Sequence, residues 1–590
     1  MSRAGSAGTV SPDATRMPPE RPLPTPSMDP KLTRTPPAEL YSEARLMDNL
    51  GVLAQLDPEL AERLTWPVDD SRVLFTAAGE MRYLAHREAH SLGVGADLLE
   101  LESQSPLLLG LGDGDVLDQA LARKECERIT CWERDPWLLR LDLMRSDRRL
   151  ALSSGRLRYC LGPDLLALRH WKGSVLRHPA MLEHYRLEFE SFQRPASSRR
   201  ALLCVGKLFY AQMAGALQAE GFELWSLDVE RQAPEELQRT LQRFEPELIL
   251  SINYTGGLAE FCEALGVPLV VWEVDPSLSQ WPACNSSTEN TWIWTYRQAH
   301  VPLYRGAGFA HVEYLPLAAD PKVRRPLELQ ASQKERYGAP VSFVGNSMLS
   351  EVQDFRASFL GEHAIWRGIP GDDGEAAALF ERLVSEQRTD PSRNLIPEAL
   401  EREAPDFRAQ ALARPGQQDP VILVGEFCAA EKRLSHVNAL VDFGIVAWGD
   451  RGWAQLAQTG IEYRGSAGHG EELTLIYNAT AVNLDINRIY QPDIITMRVF
   501  DVLAAGGFLL AEHSEALAEA FEIDEELVSY RSLGELREKL AHYLAHPEEA
   551  RRIAERGRAR VLREHTIAAR LKQMLEAAGL AAHCPSSGPG

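Results

Sequence analysis

Along the chain, short apolar runs bounded by Gly, Pro and Asp alternate with longer stretches whose apolar residues recur at helical spacing. A strand buried on both faces reads as a continuous apolar run, and its crossover helix repeats about every 3.6 residues, so the alternation predicts parallel sheets covered by helices. Residues 1–40 lack it. They hold nine prolines and no periodic apolar face, so nothing offsets their ordering entropy and a disordered leader is expected. Leu46, Leu50, Leu53 and Leu56 then recur at near-helical spacing and predict a helix over 38–64.

Three blocks of alternation follow. In the first, RVLFTAA, SPLLLGLGDGDVLDQAL, RITCWERDPWLLRLDLM and GRLRYCLGPDLLAL predict strand, Gly-rich turn, helix and strand, and a helix over 179–193 closes the block. A polar link at 195–200 leads to the second. Its strands are ALLCVG, FELWSLDV, ELILSINY and PLVVWEVD, with helices at 209–220, 234–244 and 257–265. Two more short strands lie in TWIWTYRQAHVPLYRGAGFAHVEYLPLAADP, which leaves the block at 315–321. The third begins at VSFVGN, carries helices between 350 and 413 with a polar break at 371–374, and resumes with strands VILVGEF, DFGIVAWGD, IEYRG and AVNLDIN. It ends in PDIITMRVFDVLAAGGFLLAE, a helix closed by Gly506-Gly507 with a strand after it, and in amphipathic helices at 533–545 and 547–578. The expected fold class is α/β. Domains are expected at 41–197, 198–325 and 326–578, with a disordered tail at 579–590.

Charge narrows the partners. With 84 acidic and 63 basic residues the formal net charge is −21, which argues against non-specific binding to nucleic acid or anionic membrane, although a small phosphate can still be met locally. The eight cysteines show no CxxC pair and no His-Cys spacing, so buried thiols in a reducing compartment are expected and no metal site is predicted. Neither a bilayer-length apolar run nor a signal-type h-region is present, so no stable membrane insertion and a cytoplasmic location are expected.

In the first block Gly110, Gly112 and Gly114 form GxGxG directly after a strand, and Glu133 stands at the end of the next. This resembles the first half of an S-adenosylmethionine-dependent methyltransferase. The resemblance implies Gly110, Gly112 and Glu133 as cofactor contacts, the last on a ribose, with Asp164 near an adenine. It covers 71–195 and lacks both the second half of that sheet and an (Asp/Asn)-Pro-Pro-Tyr motif. The same glycines serve helix–strand packing in an empty unit, so a vestigial or accessory domain is the other reading.

The C-terminal part, with NLDINR, DIITMRVFDVLAAGGFLLAE and the charged helices after LVSYRSLGELREKLAHYLAHPEEARRI, resembles the glycosyltransferase domain of the CgeB/YkvP spore-maturation-like family. YLPLAADP resembles the end of that family's first lobe and FVGN the start of its second, so the resemblance spans 200–577. It implies a GT-B architecture of two Rossmann-like lobes, here preceded by an additional α/β domain. It also implies a nucleotide diphosphate-sugar donor in the second lobe, an acceptor of unidentified kind in the first, no obligatory metal or other cofactor, and retention. Where related group-4 transferases carry Glu-x7-Glu, with the first acid on sugar hydroxyls and the second on the ribose, this chain has Asp493 and Asp501.

The chemistry asks for matching residue types. A diphosphate leaving group needs cations or N–H groups, offered by Arg488, by Arg498 at the helix start and by the turn Gly345-Asn346-Ser347. Asp275 is placed to act as general base if the reaction inverts, or else caps the loop before Pro276. Gly206-Lys207, Asn253-Tyr254 and Glu273 sit in loops at the same end of their sheet, where ligands bind. His469 either approaches phosphate or is a solvated loop residue, and Trp272, Trp281, Trp292, Trp294 and Tyr296 either stack a sugar or pack the interior. Two rivals accompany the glycosyltransferase: a bifunctional protein whose 71–195 unit methylates, and a non-catalytic GT-B scaffold.

Overall fold

Asp57-Pro58 divides the first predicted helix in two. The Asp57 carboxylate caps the second piece by accepting from Leu60 N, and Pro58 takes its first turn, giving helices Glu43–Leu56 and Pro58–Arg63. The computed structural model describes residues 41–66, 72–77, 80–85, 104–206, 208–275, 288–369, 373–414, 418–468 and 470–581. The leader, most of the tail, Lys207, Trp281 and His469 lie outside the described residues.

RVLFTAA does not join the first sheet. Its strand β1 (Arg72–Ala77) pairs antiparallel with β2 (Glu80–Ala85) as a separate hairpin. The first parallel sheet is built from β3 (Leu107–Leu109), β4 (Ile129–Glu133), β5 (Leu157–Leu161) and β6 (Val175–Arg177) in the order β5-β4-β3-β6. The helix predicted over 179–193 is a single 3₁₀ turn, Pro179–Met181, followed by helix Arg186–Gln193.

The first lobe comprises β7 (Arg200–Cys204), β8 (Glu223–Leu227), β9 (Leu248–Ile252), β10 (Leu269–Glu273), β11 (Thr291–Thr295) and β12 (His311–Tyr314), all parallel, in the order β12-β11-β10-β9-β7-β8. Trp225 on β8 meets Trp132 on β4 edge to face at 6.3 Å, and one apolar core joins the N-terminal unit to this lobe.

The second lobe repeats the plan with β13 (Ala339–Val344), β14 (Ile445–Trp448), β15 (Glu462–Tyr463), β16 (Thr480–Asp485), β17 (Leu509–Glu512) and β18 (Val528–Tyr530), in the order β15-β14-β13-β16-β17-β18. Two Rossmann-like lobes in tandem behind a further α/β unit are the GT-B architecture expected. VILVGEF is not a strand. It opens the helix Pro420–Asn438, with Asp419 accepting from Val421 N and Pro420 in the first turn. Val421, Leu423 and Val424 of this run are buried while Ile422 stays 37 % exposed, because four helices between β13 and β14 (Val352–Arg367, Asp373–Gln387, Ile396–Glu403 and Phe407–Leu412) pack over one side of it around Phe359, Phe380 and Phe407.

The last predicted helix breaks at His565-Thr566 into Pro547–Glu564 and Ile567–Ala577. The second piece returns to the first lobe, where Leu571 and Met574 share a core with Met213 and Leu217 of helix Tyr210–Ala219. At this crossing Ala319 N donates to His565 O and Ile567 N to Ala319 O, both at 3.1 Å.

Candidate functional site

In each lobe the strand order reverses beside one strand: β7, between β8 and β9, and β13, between β14 and β16. Crevices open at the C-terminal ends of such strands. In the second lobe that place gathers the turn after β13, Asp485 at the end of β16, helix Met497–Ala505 and the middle of helix Pro420–Asn438.

Arg433, on the last of these, carries the most unusual electrostatics. It is 8 % exposed, its guanidinium lies over the Phe343 ring with its Cζ 5.6 Å from the centroid, and one Nη donates to Asn346 O. Its Nε has no hydrogen-bond partner, and no carboxylate pairs with it among the described residues. Burial first, then Arg498 and Arg488, push its pKa down to about 10. Other buried polar atoms nearby are also without partners: Asn487 Oδ1, Gln491 Nε2 and Glu426 Oε2. The sequence offered only a Lys-Arg pair inside a helix as a sign of Arg433.

Arg488 lies beside it, paired with Glu426 at 3.3 Å and donating to the Tyr490 hydroxyl at 3.1 Å, which itself donates to Glu426. Helix Pro420–Asn438 can approach this loop only through Gly425, where a Cβ would stand 2.9 Å from the Tyr490 side chain. Lys432 pairs with Glu512 at the end of β17, and Glu512 also accepts from Asn487 N at 2.9 Å.

The remaining expected donor contacts have other partners. Arg498 pairs with Asp485 and donates to Val344 O from Nε at 3.0 Å, tying the ends of β13 and β16 together. In the Gly345-Asn346-Ser347 turn, Gly345 N donates to Trp448 O at 2.8 Å and Ser347 N to Asp450 at 2.7 Å, so these two N–H groups face inward. Asp501, expected on a ribose, is buried against Arg324 Nε at 2.9 Å, in the segment that leaves the first lobe. Asp493 precedes its helix and reaches the other lobe: Arg297 Nη2 donates to Oδ1 at 2.7 Å and Ala299 N to Oδ2 at 3.0 Å. Burial opposes ionisation of Asp493, and the bonds from Arg297 outweigh it, holding its pKa below the usual carboxylate range.

Across the cleft Asn253 adopts a left-handed backbone, φ 64°, and its Oδ1 accepts from Val274 N and Asp275 N at 2.8 and 3.1 Å. Asp275 is thereby set at the mouth, opposite Arg488. Burial raises its pKa, Arg488 opposes and Glu273 adds. Trp272, Trp294 and Tyr296 are buried in the shared core, and Trp292 stacks on His311 at 5.2 Å, so these rings serve packing.

In the N-terminal unit Glu133 is wholly buried. It accepts from Leu111 N at 2.8 Å, from Arg134 N and from the Tyr185 hydroxyl, and burial followed by Asp135 raises its pKa to about 7. The expected ribose position is thus taken by a side chain of the same chain. Gly110 and Gly114 adopt φ near +90°; a Cβ on Gly110 would touch Met181 and His178 at 3.2 to 3.3 Å, and one on Gly114 would strike Asp142 at 2.5 Å. Gly112 shares the positive φ, at 59°. Asp164 binds Arg63 at 2.5 Å and Arg239 at 2.9 Å.

Residues 428–576 match the family model described as glycosyl transferase-like. This stretch runs from the middle of helix Pro420–Asn438 to the C-terminal helix and contains Arg433, Arg488, Asp493, Arg498 and Asp501. That stretch, about a quarter of the chain, is similar to a glycosyl transferase-like domain. No curated protein matches the chain. Among solved structures, sucrose-phosphate synthase from Thermosynechococcus elongatus is 10% identical, with 65% of this chain and 100% of that one covered and a TM-score of 0.37. Anabaena HepE in complex with UDP-glucose is 9% identical over 64% of this chain and 99% of its own, TM-score 0.36. A glycosyltransferase from Rickettsia africae is 10% identical over 64% and 97%, TM-score 0.35. Among the described residues no helix is long and apolar enough to cross a membrane.

Proposed function

We propose that the protein is a cytoplasmic glycosyltransferase that takes a sugar from a nucleoside diphosphate donor held in the second lobe and passes it to an acceptor presented by the first. The observation that carries this reading is Arg433, a buried guanidinium without a carboxylate at the point where the strand order reverses, with Arg488 and Arg498 beside it. Three cations around one crevice repel one another, and a diphosphate relieves the repulsion. The start of helix Met497–Ala505 adds a favourable dipole. In the transfer the bond from sugar C1 to the diphosphate oxygen breaks, the acceptor oxygen bonds to C1, and the guanidinia stabilise charge growing on the leaving group. In this reading the arginines do the work a divalent cation does elsewhere, the transfer retains configuration, and the acceptor proton leaves with the diphosphate.

Titrating the full chain calorimetrically with UDP, UDP-glucose and other nucleotide sugars tests it, together with release of free nucleoside diphosphate. Hydrogen bonds to charged groups contribute about 1.5–3 kcal/mol, so Arg433→Met should weaken donor binding roughly 10- to 100-fold. Equal affinity in Arg433→Met, or no binding of any nucleotide sugar by the wild type, would overturn the reading. Asp275→Asn separates the stereochemical outcomes: retention predicts a modest change in rate, inversion a loss of roughly a hundredfold or more.

A further inference from the structure

One buried chain of polar groups crosses from the first lobe to the second. It starts at Glu273, the last residue of β10 and 1 % exposed, which accepts from the hydroxyls of Thr295 and Tyr304, the latter at 3.2 Å. His300 Nδ1 lies 3.0 and 3.2 Å from its two oxygens. An ionised carboxylate only accepts, so Nδ1 carries the proton and Nε2 is left as an acceptor. Arg297 Nη1, which only donates, is 3.4 Å from that Nε2. The far edge of the same guanidinium binds Asp493 Oδ1 through Nη2 at 2.7 Å and Nε at 3.3 Å, and Nη2 also reaches Tyr490 O at 3.4 Å. Each member thus dictates the donor or acceptor role of the next.

We propose that Arg297, aimed by the Glu273–His300 pair, is a positioning residue that sets the register of the two lobes for transfer by clasping Asp493. Both Asp493 oxygens are occupied in this arrangement, one by Arg297 and one by Ala299 N. The acid expected to meet sugar hydroxyls therefore acts as the second lobe's half of the clasp. The loop it fixes, 487–493, also carries Arg488, so the clasp places a donor-site guanidinium opposite Asp275. The role in transfer rests on the glycosyltransferase reading; the clasp itself does not.

Small-angle scattering and residue-resolved hydrogen exchange on the ligand-free full chain test the clasp without any donor. Arg297→Lys, which keeps the charge but loses the fork, should enlarge the radius of gyration and speed exchange at the Ala299 amide at least tenfold. His300→Phe should do the same more weakly. Gln298→Ala, which removes only the exposed neighbouring bond to Glu519, supplies the background. Swapping the charges in Arg297→Asp with Asp493→Arg should recover part of the compactness, which shows that a variant opened rather than misfolded. With donor and acceptor present, Arg297→Lys should lower kcat at least tenfold with donor KM within about twofold. Unchanged scattering and exchange in Arg297→Lys would overturn the clasp, as would a loss of donor affinity in Asp493→Asn with neither observable moved, the result expected of a sugar ligand. Absence of nucleotide-sugar turnover alone would bear on the glycosyltransferase reading and leave the scattering result standing.

Discussion

Replacing Asp501 by alanine separates two roles that one carboxylate cannot fill at once. The Asp501 and Arg324 side chains are 7 % and 6 % exposed, and their ion pair is 2.9 Å long. Removing one member of a buried pair costs about 3–5 kcal/mol, because the remaining charge stays desolvated. Arg324 keeps bonds to Gly470 O and Thr474 Oγ1 at 2.9 and 3.1 Å, which places the expected loss at the low end, about 3 kcal/mol. For a domain of roughly 150–250 residues each kcal/mol moves the midpoint by about 2–4 °C, so the second-lobe transition should fall by roughly 6–12 °C. Calorimetry of the full chain, with and without UDP, reads both the midpoint and its protection by nucleotide. Arg324→Met combined with Asp501→Leu should recover most of the loss, since a packed apolar pair removes both charges. If Asp501→Ala melts within about 1 °C of wild type while protection by UDP disappears, the buried-pair argument is wrong and Asp501 is a ribose ligand.

Two further outcomes follow from local geometry. Burial, and after it Arg570, lower the His565 pKa from 6.5 to about 4; below pH 6.5 the unfolded chain takes up a proton that the folded chain refuses, so stability present above about 6.5 is lost as the pH falls toward 4, by roughly 3 kcal/mol. Melting temperature against pH should show that slope in the wild type and a flatter one in His565→Phe. Gly425→Ala should drive a methyl into the Tyr490 side chain, which would lie 2.9 Å away; a loss of about 1–3 kcal/mol is expected, with weaker nucleotide binding measured by titration because Arg488 leans on Tyr490.

The strands of both lobes were legible because parallel strands buried on two faces are short apolar runs between breakers, and β7 to β12 lie in the six runs predicted for the first lobe. VILVGEF satisfied the same test and is helical, since periodicity over so short an apolar run does not separate a buried strand from a mostly buried helix segment; Asp419-Pro420 was the sign of a helix start. VSY, which forms β18, was too short to register. Side-chain partners were illegible for another reason: Arg324 is 177 residues from Asp501 and Arg297 is 196 from Asp493, so no spacing rule links them. Arg433 is ordinary in sequence and acquires its character only where helix Pro420–Asn438 carries it under the ends of β13 and β16.

The crossing at Ala319, His565 and Ile567 has a mechanical meaning. The chain passes between the lobes once outward and once back, and the two passages are hydrogen-bonded to each other through Ala319. Such a double ribbon bends across its thin direction while resisting shear and torsion, so the lobes should share a single soft hinge motion, and sliding one past the other requires the Ala319 bonds to break. A motion confined to that hinge would return Arg297 to the same carboxylate, Asp493. A chain cut after residue 564 would keep Arg433, Arg488, Arg498 and the Arg297–Asp493 pair but lose the return passage, leaving one covalent connection between the lobes.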